Sequence, residues 1–244
     1  MSIANQETGT RVDEIAAGIH RISTSVPSND QLPLGFTFNQ FLITDEKPLL
    51  FHTGLRQMFP LLRQAIEMVM PIDKLRHVGF SHVEADECGA LNEILAVAPD
   101  AIPLCGEIAA MTSISDMADR RPHAMKDGET LSLGSHSVTW VATPHLPHGW
   151  ECGYLFEIST STLLCGDLFT QFGADHRPIT EDDILEASEQ ARDGMDYYAH
   201  APNSSEMLER LAALEPGVLA CMHGSAWRGD GAALLRALAR RLET

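Results

Sequence analysis

Basic residues are scarce in this chain. Its 17 lysines and arginines face 34 aspartates and glutamates, for a formal net charge of -17 at neutral pH. Nucleic acid would meet a repulsive surface, and the one short basic stretch, Arg236 to Arg241, reads as the polar face of a C-terminal helix, so nucleic-acid processing is disfavoured. Cysteine is sparse too: Cys88, Cys105, Cys152, Cys165 and Cys221 are dispersed, odd in number and without a Cys-x-x-Cys pair. That pattern argues against a disulfide framework and a zinc ribbon alike. No apolar run approaches a membrane span, and residues 1–11 are polar with no apolar signal core, so a cytoplasmic location without membrane association is expected. No Pro/Gly/Ser linker or low-complexity tract marks a boundary, and 244 residues suit one large α/β domain over 1–244.

The ordered segments alternate in blocks. β-like runs at Ile19 to Thr24, Phe36 to Thr44 and Pro48 to His52 suggest a meander, and Leu55 to Val69 then carries apolar residues at helical spacing until Pro71. An apolar run from Leu75 to Phe80, a helix at Gly89 to Val97, a strand at Ala101 to Cys105 and a short helix from Glu107 follow. A second meander, Thr130 to Cys165, precedes helices near Glu181 to Tyr198 and Ser204 to Leu214, a strand at Val218 to Met222 and a helix at Gly231 to Leu242. Blocks of strands each followed by helices predict two sheets with helices outside.

The informative stretch is His82-Val83-Glu84-Ala85-Asp86-Glu87, directly after the Leu75 to Phe80 run. His82, Glu84 and Asp86 alternate, so an extended segment would point all three the same way. Short acidic loops after strands are common and mostly only solvated, but here other ligand-type residues also sit at strand ends. His148 follows Val138 to Ala142, Asp167 follows Thr162 to Cys165, and His223 follows Val218 to Cys221, where a layered α/β domain builds its site. Imidazole mixed with carboxylate suits first-row metals of intermediate hardness. Three histidines and three carboxylates suffice for two ions, with Asp167 as the bridge.

At this point the chain resembles the metallo-β-lactamase fold and, within it, the flavodiiron proteins. The motif His82-x-Glu84-x-Asp86 replaces the His-x-His-x-Asp-His of the zinc hydrolases. The interval from His148 to Asp167 fits, as do Asn39 to Lys47, Asp167-Leu168-Phe169-Thr170-Gln171, Tyr197-Tyr198-Ala199 and His223-Gly224-Ser225-Ala226-Trp227-Arg228. The likeness runs from Phe36 to Asp230. It implies a four-layer αββα sandwich, an α/β fold, with His82, Glu84 and His148 on the first metal, Asp86 and His223 on the second and Asp167 between them. It also implies two iron ions, with zinc or manganese as alternatives, and dioxygen or nitric oxide as ligand. Glu84 matters here because an anionic oxygen donor favours iron and offsets the charge of its ferric state.

Three departures stand out. Glu87 follows Asp86 where many relatives place a histidine, His52 stands where the fold commonly has an aspartate, and no flavodoxin segment or phosphate-cradling loop for a flavin is present. No flavin is therefore expected on this chain, and electrons would come from a separate donor protein. The standalone oxygen-binding di-iron proteins are the closest resemblance. Glu87, which could instead ligate the second metal or point away and leave an open site, and His145 are the candidate proton sources, with His148 preferred to His145 as the ligand. Trp150 and Glu151 are candidate pocket walls, His176 a solvated loop residue, and Tyr197 and Tyr198 packing residues, while His20, His77, His123, His136 and His200 read as ordinary histidines. A two-metal hydrolase, a di-iron oxygenase and an oxygen sensor contacting a signalling protein remain open as alternatives, as does a homodimer.

Overall fold

The computed structural model describes residues 2–30 and 32–243. Its first sheet runs in chain order: β1 (Ser2–Asn5), β2 (Thr10–Ala16), β3 (Ile19–Val26), β4 (Phe36–Ile43), β5 (Leu49–Phe51), β6 (His77–Gly79), β7 (Ile102–Gly106) and β8 (His123–Met125). The first five pair antiparallel and the last four parallel. The second sheet holds β9 (Thr130–Ser132), β10 (Ser137–Ala142), β11 (Gly153–Glu157), β12 (Thr162–Leu164), β13 (Ile179–Thr180), β14 (Val218–Ala220) and β15 (Ala226–Arg228), in the order β13-β15-β14-β12-β11-β10-β9. β12 and β14 are parallel neighbours, which brings two distant stretches of chain to the same sheet end.

Three apolar layers make this a four-layer αββα sandwich. Ile19, Phe41, Phe51 and Leu104 of the first sheet meet Trp140, Leu155 and Leu164 of the second in a central layer. Outside the first sheet, α1 (Phe59–Glu67) buries Leu62, Ala65 and Ile66. There α2 (Ala85–Cys88) leads into α3 (Leu91–Val97), and α4 (Glu107–Ala109), a π-helical turn Ala110–Ile114 and α5 (Ser115–Met117) complete the layer. Outside the second sheet pack α6 (Leu185–Met195), α7 (Ser204–Ala212) and α8 (Gly231–Leu242). α8 keeps the expected bounds because Asp230 caps it, its carboxylate accepting from Ala233 N. Among the described residues no helix is long and apolar enough to cross a membrane.

Several local expectations are corrected. β1, β2, β8, β13 and β15 were not anticipated: β1 lies at a sheet edge with no fully buried residue, and such a strand carries little apolar signal. The helix expected to reach Tyr198 ends at Met195, where Asp196 adopts φ +48, so the tyrosine pair lies in the loop beyond. The first turn of the helix expected at Leu55 is 3-10 in Arg56–Met58.

His77, set aside on sequence grounds, sits buried in β6 with neither ring nitrogen hydrogen-bonded. Burial, followed by the positive neighbours His123, Lys47 and Arg76, lowers its pKa to about 4 from an ordinary 6.5. Between those values the unfolded chain binds a proton that the folded chain refuses, so stability falls as pH drops through this window. His77→Leu is expected to flatten that fall, and at neutral pH to be neutral or stabilising by about 1 kcal/mol, since an unpartnered buried polar ring is replaced by an apolar group. Urea midpoints of both proteins at about pH 7 and about pH 5 check this; equal loss in the two proteins contradicts it.

Candidate metal centre

Every candidate ligand lies in a loop leaving the C-terminal end of a strand or just beyond it. His82 and Glu84 follow β6, His148 lies between β10 and β11, Asp167 follows β12, and His223 follows β14. The parallel pairing of β12 with β14 sets Asp167 beside His223. Gly166 makes the turn ahead of Asp167 with φ +49, and a Cβ there would meet Ser81 Oγ at 2.9 Å.

The motif is not one extended segment, which corrects the expectation that His82, Glu84 and Asp86 point the same way. Glu84 is extended, but Asp86 already belongs to the first turn of α2, and successive helical residues rotate by about 100°. The consequence is a division of labour. Glu84 Oε2 lies 2.9 Å from His82 Nε2 and 3.0 Å from His148 Nε2, whereas Asp86 Oδ2 lies 3.4 Å from His223 Nε2.

Asp167 spans the two groups. Its Oδ2 lies 3.6 Å from His82 Nε2 and 3.5 Å from His148 Nε2, and its Oδ1 lies 3.3 Å from His223 Nε2. Donor atoms of His82, Glu84, His148 and Asp167 all fall within 4.8 Å of one another. Asp167 Oδ1 is buried and makes no aligned hydrogen bond. Oxygen and nitrogen donors converging in this way, from buried His82 and Asp167, half-buried His148 and exposed Glu84, fit a bound cation better than they fit one another.

The rings are held from behind. His148 Nδ1 is 2.8 Å from the Tyr197 carbonyl and His223 Nδ1 is 2.8 Å from the Thr37 carbonyl. A carbonyl only accepts, so Nδ1 carries a hydrogen in both rings and it is Nε2 that each turns to the centre. His82 Nδ1 contacts Ser81 Oγ at 2.9 Å. The His223 loop is further anchored by Asn39 Nδ2, which donates to the Cys221 and Gly224 carbonyls at 2.9 Å each, and by buried Arg21, whose Nη2 donates to Gly224 O at 2.7 Å. Phe36 stacks on His223 at 4.2 Å and Phe38 meets it edge-on at 5.5 Å. With Met222 these rings form an apolar cap that keeps water from one side of the imidazole.

The charges are mutually dependent. Burial alone would lower the His223 pKa, but pairing with Asp167 and Asp86 raises it to about 10. Burial likewise opposes protonation of His82 and His148, yet the Cys152 and Glu84 contacts of the first and the Glu84 contact of the second raise both. Contacts from His148 and His82 push Glu84 below the carboxylate range. Asp167 is lowered by His223, His82 and His148 against the opposing effect of its burial. The acids are thus held ionised beside imidazoles retaining protons that an incoming cation would displace.

Of the residues expected in the site, His82, Glu84, Asp86, His148, Asp167 and His223 come together. Glu87 does not, a correction to its reading as a proton source facing the pocket: it is fully buried, with Oε2 2.8 Å from His52 Nε2. The two departures noted in the sequence are therefore one, an acid and a base facing each other. His145 is exposed, with φ +68. Glu151 Oε1 accepts from Val83 N at 3.0 Å and so fixes the ligand loop, while Trp150 is exposed. Cys88 is packed, donates to the Glu84 carbonyl and has its thiol pushed up to about 12 by burial and Glu87. Sequence reasoning missed Ser81, Thr37 and the Tyr197 carbonyl, of which two act through the backbone and leave no side-chain signal. Tyr197 also donates its hydroxyl to the Asp167 carbonyl at 3.2 Å, a role beyond packing.

Comparison with known proteins gives a consistent outcome. A family model described as ODP family beta lactamase matches residues 36–224. A nitric oxide reductase of Moorella thermoacetica is 28% identical over 218 residues, covering 86% of this chain and 54% of the relative. A rubredoxin-oxygen oxidoreductase of Megalodesulfovibrio gigas is 30% identical over 209 residues, covering 81% and 50%. The chain thus spans about half the length of these relatives. Among solved structures, the metal-soaked Flv1 flavodiiron core from Synechocystis superimposes with a TM-score of 0.83 at 22% identity, over 96% of this chain and 60% of that one, a likeness of fold.

Proposed function

The chain belongs to the ODP family of beta lactamases, and from that membership and its donor set we propose that it is a non-haem di-iron protein. It binds dioxygen or nitric oxide and reduces or activates it with electrons from a separate protein. The observation that carries this reading is Glu84, whose carboxylate oxygen stands 2.9 and 3.0 Å from the Nε2 atoms of His82 and His148, where a zinc hydrolase of this fold has a third imidazole. The relatives bearing the names nitric oxide reductase and rubredoxin-oxygen oxidoreductase point the same way.

In this reading His82, Glu84, His148 and Asp167 would hold one ion, and Asp86, His223 and Asp167 would hold the other. When bound, the iron pair supplies two one-electron couples and open positions for a diatomic ligand. The protein contributes the rest. The Tyr197 and Thr37 carbonyls fix two imidazoles in the tautomer that offers Nε2, and Glu151 holds the loop carrying Glu84. Phe36 and Phe38 keep one side of the site apolar, which suits a small uncharged gas better than a charged ester or phosphate. His145, exposed in the loop that bears His148, is assigned as the proton carrier from solvent. The acidic surface favours a basic electron-donating partner.

Metal analysis and an absorption spectrum of protein produced with iron in the medium test the proposal. Two irons per chain are expected, with a spectral change when the anaerobically reduced protein meets oxygen or nitric oxide. A colourless protein holding only zinc, or a reduced protein indifferent to both gases, overturns it.

A further inference from the structure

We infer, resting on the di-iron reading above, that the two metal positions are unequal: the position built on Glu84 retains its ion, and the position built on Asp86 binds an exchangeable one. The first has four converging side chains within 4.8 Å of one another, two imidazoles and two carboxylates. The second has three, with His223 Nε2 set 3.4 Å from Asp86 Oδ2 and 3.3 Å from Asp167 Oδ1, and it shares Asp167 with the first.

The residue best placed in sequence to complete the second position is Glu87, beside Asp86. It is turned away because consecutive residues on α2 point in different directions, and because a partner waits for it on the other side. His52 leaves the end of β5 with φ +67, lies against Phe51 at 4.3 Å and meets Glu87 Oε2 at 2.8 Å with both side chains fully buried. Glu87 Oε2 also faces Ser81 N at 3.4 Å. Recruiting Glu87 to the metal would take from His52 the carboxylate it faces at 2.8 Å, so the acid stays in the core, and among the described residues no fourth side-chain donor is placed beside Asp86, His223 and Asp167 for the second ion. Fewer donors, two of three of them carboxylates, mean weaker retention and more sites left to solvent or ligand.

Anaerobic titration of the metal-free protein with ferrous ion, followed by calorimetry and by metal analysis after desalting, reads this without recourse to activity. Two binding steps separated by at least about tenfold in affinity are expected, with one ion per chain surviving the column. Asp86→Asn should erase the weak step and spare the tight one; Glu84→Gln should weaken the tight one. Two ions of equal affinity, both retained, overturn the inference and leave the di-iron reading standing, as does an Asp86→Asn protein that loses the tight step. Wild-type protein that takes up no iron removes the di-iron reading and this inference with it. The wild-type titration decides the matter whether or not either variant folds.

Discussion

Asp167→Ala is expected to release both metal ions at once, with a loss of affinity greater than the about 100-fold typical of changes behind the ligands. The reason is geometric. One oxygen of this carboxylate faces His82 and His148 at 3.6 and 3.5 Å and the other faces His223 at 3.3 Å, so this side chain belongs to both groups. Glu84→Ala should instead unload only the first position, and loss of the absorption spectrum and gas response should follow the metal content in each variant. The fold should survive, because the hydrogen bonds that Asp167 accepts from the Tyr197 and Thr170 hydroxyls go to its backbone carbonyl. Metal analysis after desalting, beside a thermal melt, checks the prediction. An Asp167→Ala protein that keeps two ions rules out Asp167 as the bridge.

Cutting either member of the His52–Glu87 pair should cost about 1–3 kcal/mol of folding stability, the range for leaving a buried polar group without its partner. Both side chains are fully buried and their facing atoms are 2.8 Å apart. The contact is off the ideal hydrogen-bond direction, so that both imidazole nitrogens of His52 lack an aligned partner. His52→Ala and Glu87→Ala should each lower the urea midpoint steeply, whereas His52→Leu/Glu87→Leu should recover much of the loss because no orphaned group remains. A double-mutant cycle with no coupling between the positions would sink this account.

Much of the architecture was legible in sequence because it rests on periodicity. The apolar spacing that includes Leu62 and Ile66 marks α1, the run Phe36 to Thr44 contains β4, and the helix expected at Gly231 to Leu242 is α8. Edge strands such as β1 were not legible, since a short strand with no fully buried residue carries no clear alternation. The six candidate ligands were legible because imidazoles and carboxylates at strand ends are conspicuous.

What the sequence by itself determined is the chemical character of this protein: an acidic chain with a mixed imidazole and carboxylate donor set, Glu84 among them. Only the tertiary structure decided how those donors are shared. The early helix turn at α2 sends Asp86 to a different partner from Glu84, and parallel pairing of β12 with β14 sets Asp167 between the two groups. Packing turns Glu87 inward onto His52, and backbone carbonyls of Thr37 and Tyr197 select the tautomers. Each of these depends on atoms far apart in the chain or on main-chain groups that every residue carries alike, so residue type and spacing could not reveal them.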